Sequence, residues 1–194
     1  YNQGMTKAGL YWTVNAQKDK MKDYKDGHGN YTRNMIDSES YGVKIGQKFG
    51  DKADINFSYS KYKLDYGRPE TSSDMMGPTI FTGGMTYGSK NNTKYAVSFN
   101  YKFNDKLNNS LSLDDDTNHP ATLWLMREKT WGFSDQLTYA DGNHTIVGGY
   151  DYYKDAMNKY QDQYTPNMTG TVDNKAFFIE DKMKFGAFTV TPGV

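Results

Sequence analysis

Four segments of this chain alternate apolar and polar residues over about ten positions, the length at which a tilted strand crosses a bilayer. Each apolar row closes on an aromatic residue just before a short turn, at Phe49, Phe103, Tyr139 and Phe185. Because successive side chains of a strand point to opposite faces, each segment has one apolar and one polar face. This pattern predicts an all-β fold, an antiparallel transmembrane β-barrel of the outer-membrane kind.

The same alternation predicts about nine strands between Ala8 and Val194. Short turns are predicted near 50–52, 104–107, 140–142 and 186. Long polar connections are predicted near 18–38, 67–92, 115–128 and 156–172. Short periplasmic turns that alternate with long extracellular loops are typical of outer-membrane barrels. The alternative is a soluble all-β sandwich or barrel, whose apolar rows would face an internal core.

Composition fits a barrel better than a soluble or disordered chain. The 194 residues include no cysteine and 23 basic against 23 acidic residues, so thiol chemistry is excluded here and nucleic acid is not the expected partner. Mean hydropathy is −0.88, yet 15% of the residues are aromatic, which is too rich for disorder. A barrel reconciles these values, because only alternate strand residues face lipid.

Two carboxylates interrupt the apolar rows. Asp135 and Asp181 each fall in the outward register, four residues before the closing aromatic. A charge that faces lipid can cost up to about a few kcal/mol. A β-bulge would turn both side chains inward, and for Asp181 protection by Lys182 or by a neighbouring strand is the alternative.

Strand number and the C-terminal residues predict that 1–194 form part of a single, larger outer-membrane barrel domain. Nine strands do not match the even count usual in bacterial barrels. The last predicted strand runs into Pro192, Gly193 and Val194, whereas barrels of this kind usually end on an aromatic residue. A small self-contained barrel is the alternative, since eight strands can be this short.

The C-terminal motifs resemble those of one family. Residues 176–182 (Ala-Phe-Phe-Ile-Glu-Asp-Lys), Phe185-Gly186 and 188–194 are similar to the mid-barrel hairpin of TonB-dependent outer-membrane receptors. Trp131-Gly132-Phe133, with 142–145 and 148–152, looks like the hairpin that precedes it in that family. The stretch 65–70 is similar to the family's entry into an extracellular loop. The resemblance covers most of the chain and is strongest from about Trp131 onward.

That resemblance implies active uptake across the bacterial outer membrane. Such receptors take up a scarce ligand, often an iron–siderophore complex, haem or cobalamin. A TonB-type protein supplies energy through strand addition to a short N-terminal segment. Neither that segment nor the internal plug is recognisable in these residues, and neither is the family's Phe-Arg-Ala-Pro haem signature. A passive porin-like channel is the alternative function, and outer-membrane lipid and lipopolysaccharide are the expected surroundings.

Basic and aromatic residues near the predicted loop bases suggest a vestibule for an anionic ligand such as a ferric siderophore. The candidate contact residues are Tyr66, Arg68, His119, Arg127 and Tyr160. For each of them, ordinary contact with water or lipopolysaccharide phosphates is the competing interpretation. The sequence predicts no cofactor, because no two of its three histidines have metal-site spacing.

The remaining residues give less support for a metal site or for catalysis. Asp114-Asp115-Asp116 offers oxygen ligands that calcium prefers, against the simpler interpretation of a solvated acidic loop. Met75, Met76 and Met85 carry thioethers, which bind soft metal ions or pack against neighbouring loops. No nucleophile elbow is present and the histidines are scattered, so we predict no catalytic residues and no enzyme.

Overall fold

The computed structural model describes residues 2–25, 27–29, 35–71, 81–121, 125–161 and 167–194. They form one sheet of ten strands, in which each strand is antiparallel to the next strand along the chain. Among the described residues, no helix has the length and apolar character needed to cross a membrane. The strands are β1 (Asn2–Met5), β2 (Leu10–Met21), β3 (Ile36–Phe49), β4 (Ala53–Thr71), β5 (Phe81–Lys102), β6 (Leu107–Ala121), β7 (Leu125–Asp141), β8 (His144–Gln161), β9 (Met168–Phe185) and β10 (Phe188–Val190).

The predicted fold class is confirmed, and the nine predicted strands correspond to β2 through β10. Strand β1 is an addition that the sequence did not reveal. It has only four residues, Asn-Gln-Gly-Met, and carries no apolar alternation. It pairs with β2 from Asn2 opposite Val14 to Met5 opposite Tyr11.

The short turns lie where they were predicted. Gly50, Gly142 and Gly186 adopt positive φ angles of 59°, 56° and 59°, the left-handed region in which glycine has no steric penalty. In the β5–β6 turn, the side-chain oxygen of Asn104 accepts hydrogen bonds from the backbone N–H groups of Lys106 (2.8 Å) and Leu107 (3.0 Å). These local devices fix the register of each hairpin.

The boundaries predicted for the long connections were wrong, because the strands continue into them. Strand β6 extends to Ala121 and β7 begins at Leu125, so the predicted loop at 115–128 is mostly sheet. Strand β5 has 22 residues and spans roughly 75 Å, whereas about ten residues cross a bilayer. Backbone ladders need no apolar side chains, so pairing persists where the alternation stops.

Strand register sorts the side chains into two faces. Consecutive ladder partners Val14, Val43, Tyr59 and Tyr95 lie in one row of the apolar face. No hydrophobic side chain of the described residues is buried, and Trp12, Phe57 and Trp131 are 41%, 44% and 42% exposed. A soluble sandwich would cover such rows with a second sheet, but the described residues form one sheet. The apolar face therefore lacks a protein partner within this part of the chain.

The opposite, polar face contains three glycines that each lie across the ladder from an aromatic residue. A Cβ atom at any of the three would clash with the ring of its partner. The rings thus cover the backbone where no side chain stands, as aromatic residues do in curved sheets. The pairs are Tyr11 with Gly46, Gly132 with Tyr153, and Gly149 with Phe178.

Candidate functional site

Both carboxylates in the apolar rows have partners on adjacent strands. The Asn109 side-chain amide donates a 2.6 Å hydrogen bond to Asp135, and the His144 Nδ1 atom lies 2.9 Å from a carboxylate oxygen of Asp181. The ladders run through both positions without a register shift. The expected β-bulge was therefore wrong. Protection of Asp181 by a neighbouring strand is confirmed for its Oδ2 atom, whereas its Oδ1 atom is buried without a hydrogen-bond partner among the described residues.

The structure divides the predicted ligand-contact residues between the two faces. Tyr66 on β4 and Tyr160 on β8 occupy polar-face positions. They are four strands apart, about 19 Å along the sheet. His119 and Arg127 occupy the outward register, beyond the apolar rows on β6 and β7. Arg68 pairs with Thr86 in the ladder, and its side chain lies outside the described residues. A ligand role for these five residues remains a prediction.

His119 and Arg127 interact electrostatically. Burial, and then the nearby Arg127 guanidinium, lower the pKa of His119. The Nε2 atom of His119 is buried and has no hydrogen-bond partner among the described residues. A neutral imidazole beside a guanidinium is therefore the favoured state at the outer end of these strands.

Charges on the polar face fall into two sectors. Strands β3 and β5 carry a basic sector with Lys44, Lys48, Lys90, Lys94 and Lys102, which is interrupted on β4 by Asp54, the ladder partner of Lys48. Strands β6 to β8 carry an acidic sector with Asp114, Asp116, Glu128, Asp151 and Asp155. Sequence reasoning missed this separation because it assigned residues 115–128 to a loop. The basic sector can therefore attract anionic groups, and the acidic sector can attract cationic groups.

Neutral side chains hold the acidic sector in place. Asn92 donates to Asp116 at 2.6 Å, and Thr130 donates to Asp155 at 2.8 Å. Asp115, by contrast, points to the other face and pairs with Lys129 at 2.8 Å. The three aspartates at 114–116 thus lie on a strand and face opposite ways. Within the described residues, no group of three or more His, Cys, Asp or Glu side chains is placed to hold a metal ion.

A methionine-containing row lies at the outer end of the polar face. Met126 and Met168 are both direct ladder partners of Tyr160, one on each side. Sequence reasoning had considered Met75, Met76 and Met85 instead. The first two lie outside the described residues, as does the side chain of Met85. The thioethers beside Tyr160 were not recognised because a register shift in β8 places that residue on the polar face.

A second ring of aromatic residues crosses the apolar face at the end away from the short turns. The ring centroids of Tyr41 and Tyr59 are 6.0 Å apart, and those of Tyr59 and Tyr95 are 5.1 Å apart. The sequence predicted aromatic residues only at the turn end. With both rings present, the apolar rows form a band that has an aromatic border on each side, as at the two interfaces of a membrane.

Beyond the second ring, the outward register of β2, β3 and β4 becomes charged. We name this group the charged belt: Lys18, Lys20, Asp37, Glu39, Lys61, Lys63 and Asp65. Its ion pairs include Lys20–Asp37 at 2.9 Å and Lys63–Asp65 at 3.1 Å. The hydrogen bond from Lys20 lowers the pKa of Asp37, and the hydrogen bond to Asp65 raises the pKa of Lys63. Both shifts favour the charged forms of Asp37 and Lys63.

Comparison with known proteins gives a structural likeness and no sequence family. No family model matches the chain, and no curated protein matches it. Among solved structures, the copper transporter OprC is similar, with a TM-score of 0.54 and 14% sequence identity. The match covers 96% of this chain and 40% of OprC. The likeness shows a shared fold, and the chain spans about 40% of the length of that protein.

Proposed function

We propose that this protein is a bacterial outer-membrane transporter of the TonB-dependent receptor type, with residues 1–194 as part of its barrel wall. One observation carries the proposal: the described residues form a single sheet with an exposed apolar face and a hydrogen-bonded polar face. A barrel in lipid places the first face outward and the second around a wet interior. The fold shared with a copper transporter adds support.

The polar face suggests what the interior takes up. Lys90 and Lys94 on β5 lie on the same side of the sheet as Tyr66 on β4, near the outer end of the wall. Ammonium groups and a tyrosine on one face of the sheet suit an anionic ligand such as a ferric siderophore. Coupling to a TonB-type protein would require a segment that is not recognisable in these residues.

Uptake in cells tests the proposal. The full reading frame is expressed in a bacterium that lacks its own ferric-siderophore receptors, with and without TonB, and accumulation of labelled iron is measured for a panel of siderophores. We expect TonB-dependent accumulation, and a loss for an anionic complex in the Arg68→Ala and Lys90→Ala variants, because both positions are in the polar-face register. Normal uptake by both variants would refute the hypothesis of a vestibule for an anionic ligand. No uptake with any siderophore would remove the siderophore assignment.

A passive channel is the competing function. In planar bilayers, a porin-like protein would show conductance that depends on neither ligand nor TonB, whereas a plugged receptor stays closed. A steady open conductance of the purified protein, together with TonB-independent solute entry, would replace the receptor proposal.

One observation favours a second ligand class. Met126 and Met168 flank Tyr160 on the polar face, and thioethers are soft ligands that suit Cu(I). The similar solved structure is named as a copper transporter. If the transported ligand is a copper ion, a Met126→Leu/Met168→Leu variant will lose copper accumulation, while a Met183→Leu control on the apolar face will keep it.

A further inference from the structure

The charged belt lies directly against the apolar band on the outward side of three strands. Lys61 is the ladder partner of Tyr41. In the next row outward, Glu39 lies between its two ladder partners, Lys18 and Lys63. The row below Lys61 is apolar, with Val14, Val43 and Tyr59. The change from hydrocarbon-like to ionic side chains therefore occurs within one step of the ladder.

The belt carries one more positive charge than negative charge. Its four lysines face three carboxylates, and each carboxylate is within salt-bridge distance of a lysine: Lys18–Glu39 at 3.8 Å, Lys20–Asp37 at 2.9 Å and Lys63–Asp65 at 3.1 Å. Among the described residues, Lys61 takes part in none of these pairs and has the neutral residues Tyr41 and Thr93 as ladder partners. No described carboxylate is within salt-bridge distance of its ammonium group, which is therefore open to an anion from outside the described residues.

The position of the belt selects the kind of anion. A free phosphate would contact only the charged belt. A lipid would contact the belt with its headgroup and the apolar rows below with its acyl chains. The second apolar row below Lys61 contains Trp12, Ile45 and Phe57. Their side chains are 41%, 49% and 44% exposed. An anionic headgroup above an exposed apolar surface is the arrangement that a phosphorylated lipid complements.

We propose that the charged belt binds a phosphate group of lipopolysaccharide in the outer leaflet, with Lys61 as its principal ligand. The inference rests on the outer-membrane location in the proposed function. Lys18, Lys20 and Lys63 are each neutralised by a carboxylate partner, so the excess positive charge of the belt is that of Lys61. The neighbouring aromatic ring sets the depth at which the headgroup meets the belt.

Native mass spectrometry of the full-length protein in detergent tests this inference. Binding of phosphorylated lipid A is compared with binding of dephosphorylated lipid A. We expect Lys61→Gln to weaken phosphorylated lipid A about fivefold, the effect of one lysine near an anionic surface, and Lys61→Arg to retain binding. Lys44→Gln is the matched control, because Lys44 lies on the adjacent strand β3 and faces the other side; it should leave lipid binding unchanged.

The outcomes distinguish a lipid site from a simple anion site and from failure to reach the outer membrane. Equal binding of the two lipids, or normal binding by Lys61→Gln, would overturn the belt assignment. Displacement of the lipid by an equal concentration of inorganic phosphate would show a simple anion site and overturn it too. Ligand uptake is measured in the same strains: retained uptake beside a failed lipid test would refute the belt alone. Absence of the protein from the outer-membrane fraction would refute both proposals.

Discussion

The hydrogen bond between Asn109 and Asp135 offers a quantitative test of what covers the apolar face. Asp135 lies in the middle of its row, between Phe133 and Leu137. It accepts a 2.6 Å bond from the Asn109 amide, which also lies 3.3 Å from the Gln136 carbonyl oxygen. In lipid, water cannot replace a lost donor, so the bond should matter more here than at a wet surface.

Replacing Asn109 by leucine leaves the Asp135 carboxyl group facing hydrocarbon without its donor. An unsatisfied buried polar group costs about 1–3 kcal/mol, so we expect Asn109→Leu to lower the free energy of unfolding by that amount. The double variant Asn109→Leu/Asp135→Leu should recover most of the loss, because both polar groups are then gone. The measurement is guanidinium unfolding in phospholipid vesicles, followed by tryptophan fluorescence.

A polar-face bond serves as the control. Ser134 donates to Asp151 at 2.5 Å, and water in a barrel interior can replace that donor. Ser134→Ala should therefore cost less than about 1 kcal/mol. The reasoning fails if Asn109→Leu is no more destabilising than Ser134→Ala, or if adding Asp135→Leu does not restore stability.

Three further changes follow from the contacts. Gly149→Ala should lower the free energy of unfolding by about 1–3 kcal/mol, because a Cβ atom there would lie 2.5 Å from a ring atom of its ladder partner, Phe178. Gly170→Ala is the control, since a Cβ atom there would have no neighbour within 4 Å. Equal unfolding midpoints for the two variants would contradict the clash. Tyr59→Ala removes two ring contacts and should cost about 1–3 kcal/mol in the same vesicle assay, where an unchanged midpoint would refute the aromatic ring's role. Arg127→Gln should raise the pKa of His119, measured by histidine NMR, because it removes a positive charge; no change would show that burial alone lowers it.

Much of the membrane-spanning part of this fold could be predicted from sequence. Lipid requires one face of each strand to be apolar, so the alternation from Tyr95 to Phe103 is visible without structure. The same constraint made Asp135 and Asp181 conspicuous before their partners were known. Beyond the apolar band neither face must be apolar, and the alternation disappears although the backbone ladder continues. The outer ends of β2 to β9 were therefore assigned to loops.

The strand faces of the candidate ligand-contact residues could also be predicted only in part. Counting by twos from Leu113 places His119 on the apolar side of β6, so its face could have been predicted once the strand was known to extend that far. For Tyr160 the same count from Tyr152 gives the wrong face. A register shift between Met157 and Tyr160 moves the latter to the polar side, and no turn or glycine signal in that stretch marks it.

The most direct test of the central claim, that one face of this sheet meets lipid and the other meets water, is a spin-label scan of β5. The sequence contains no cysteine, so a single cysteine can carry a nitroxide at each position from 95 to 100. In vesicles, we predict high accessibility to oxygen at positions 95, 97 and 99 and high accessibility to a water-soluble nickel reagent at positions 96, 98 and 100. Equal nickel accessibility on both sets, or oxygen accessibility without a period of two, would contradict a barrel wall in a membrane.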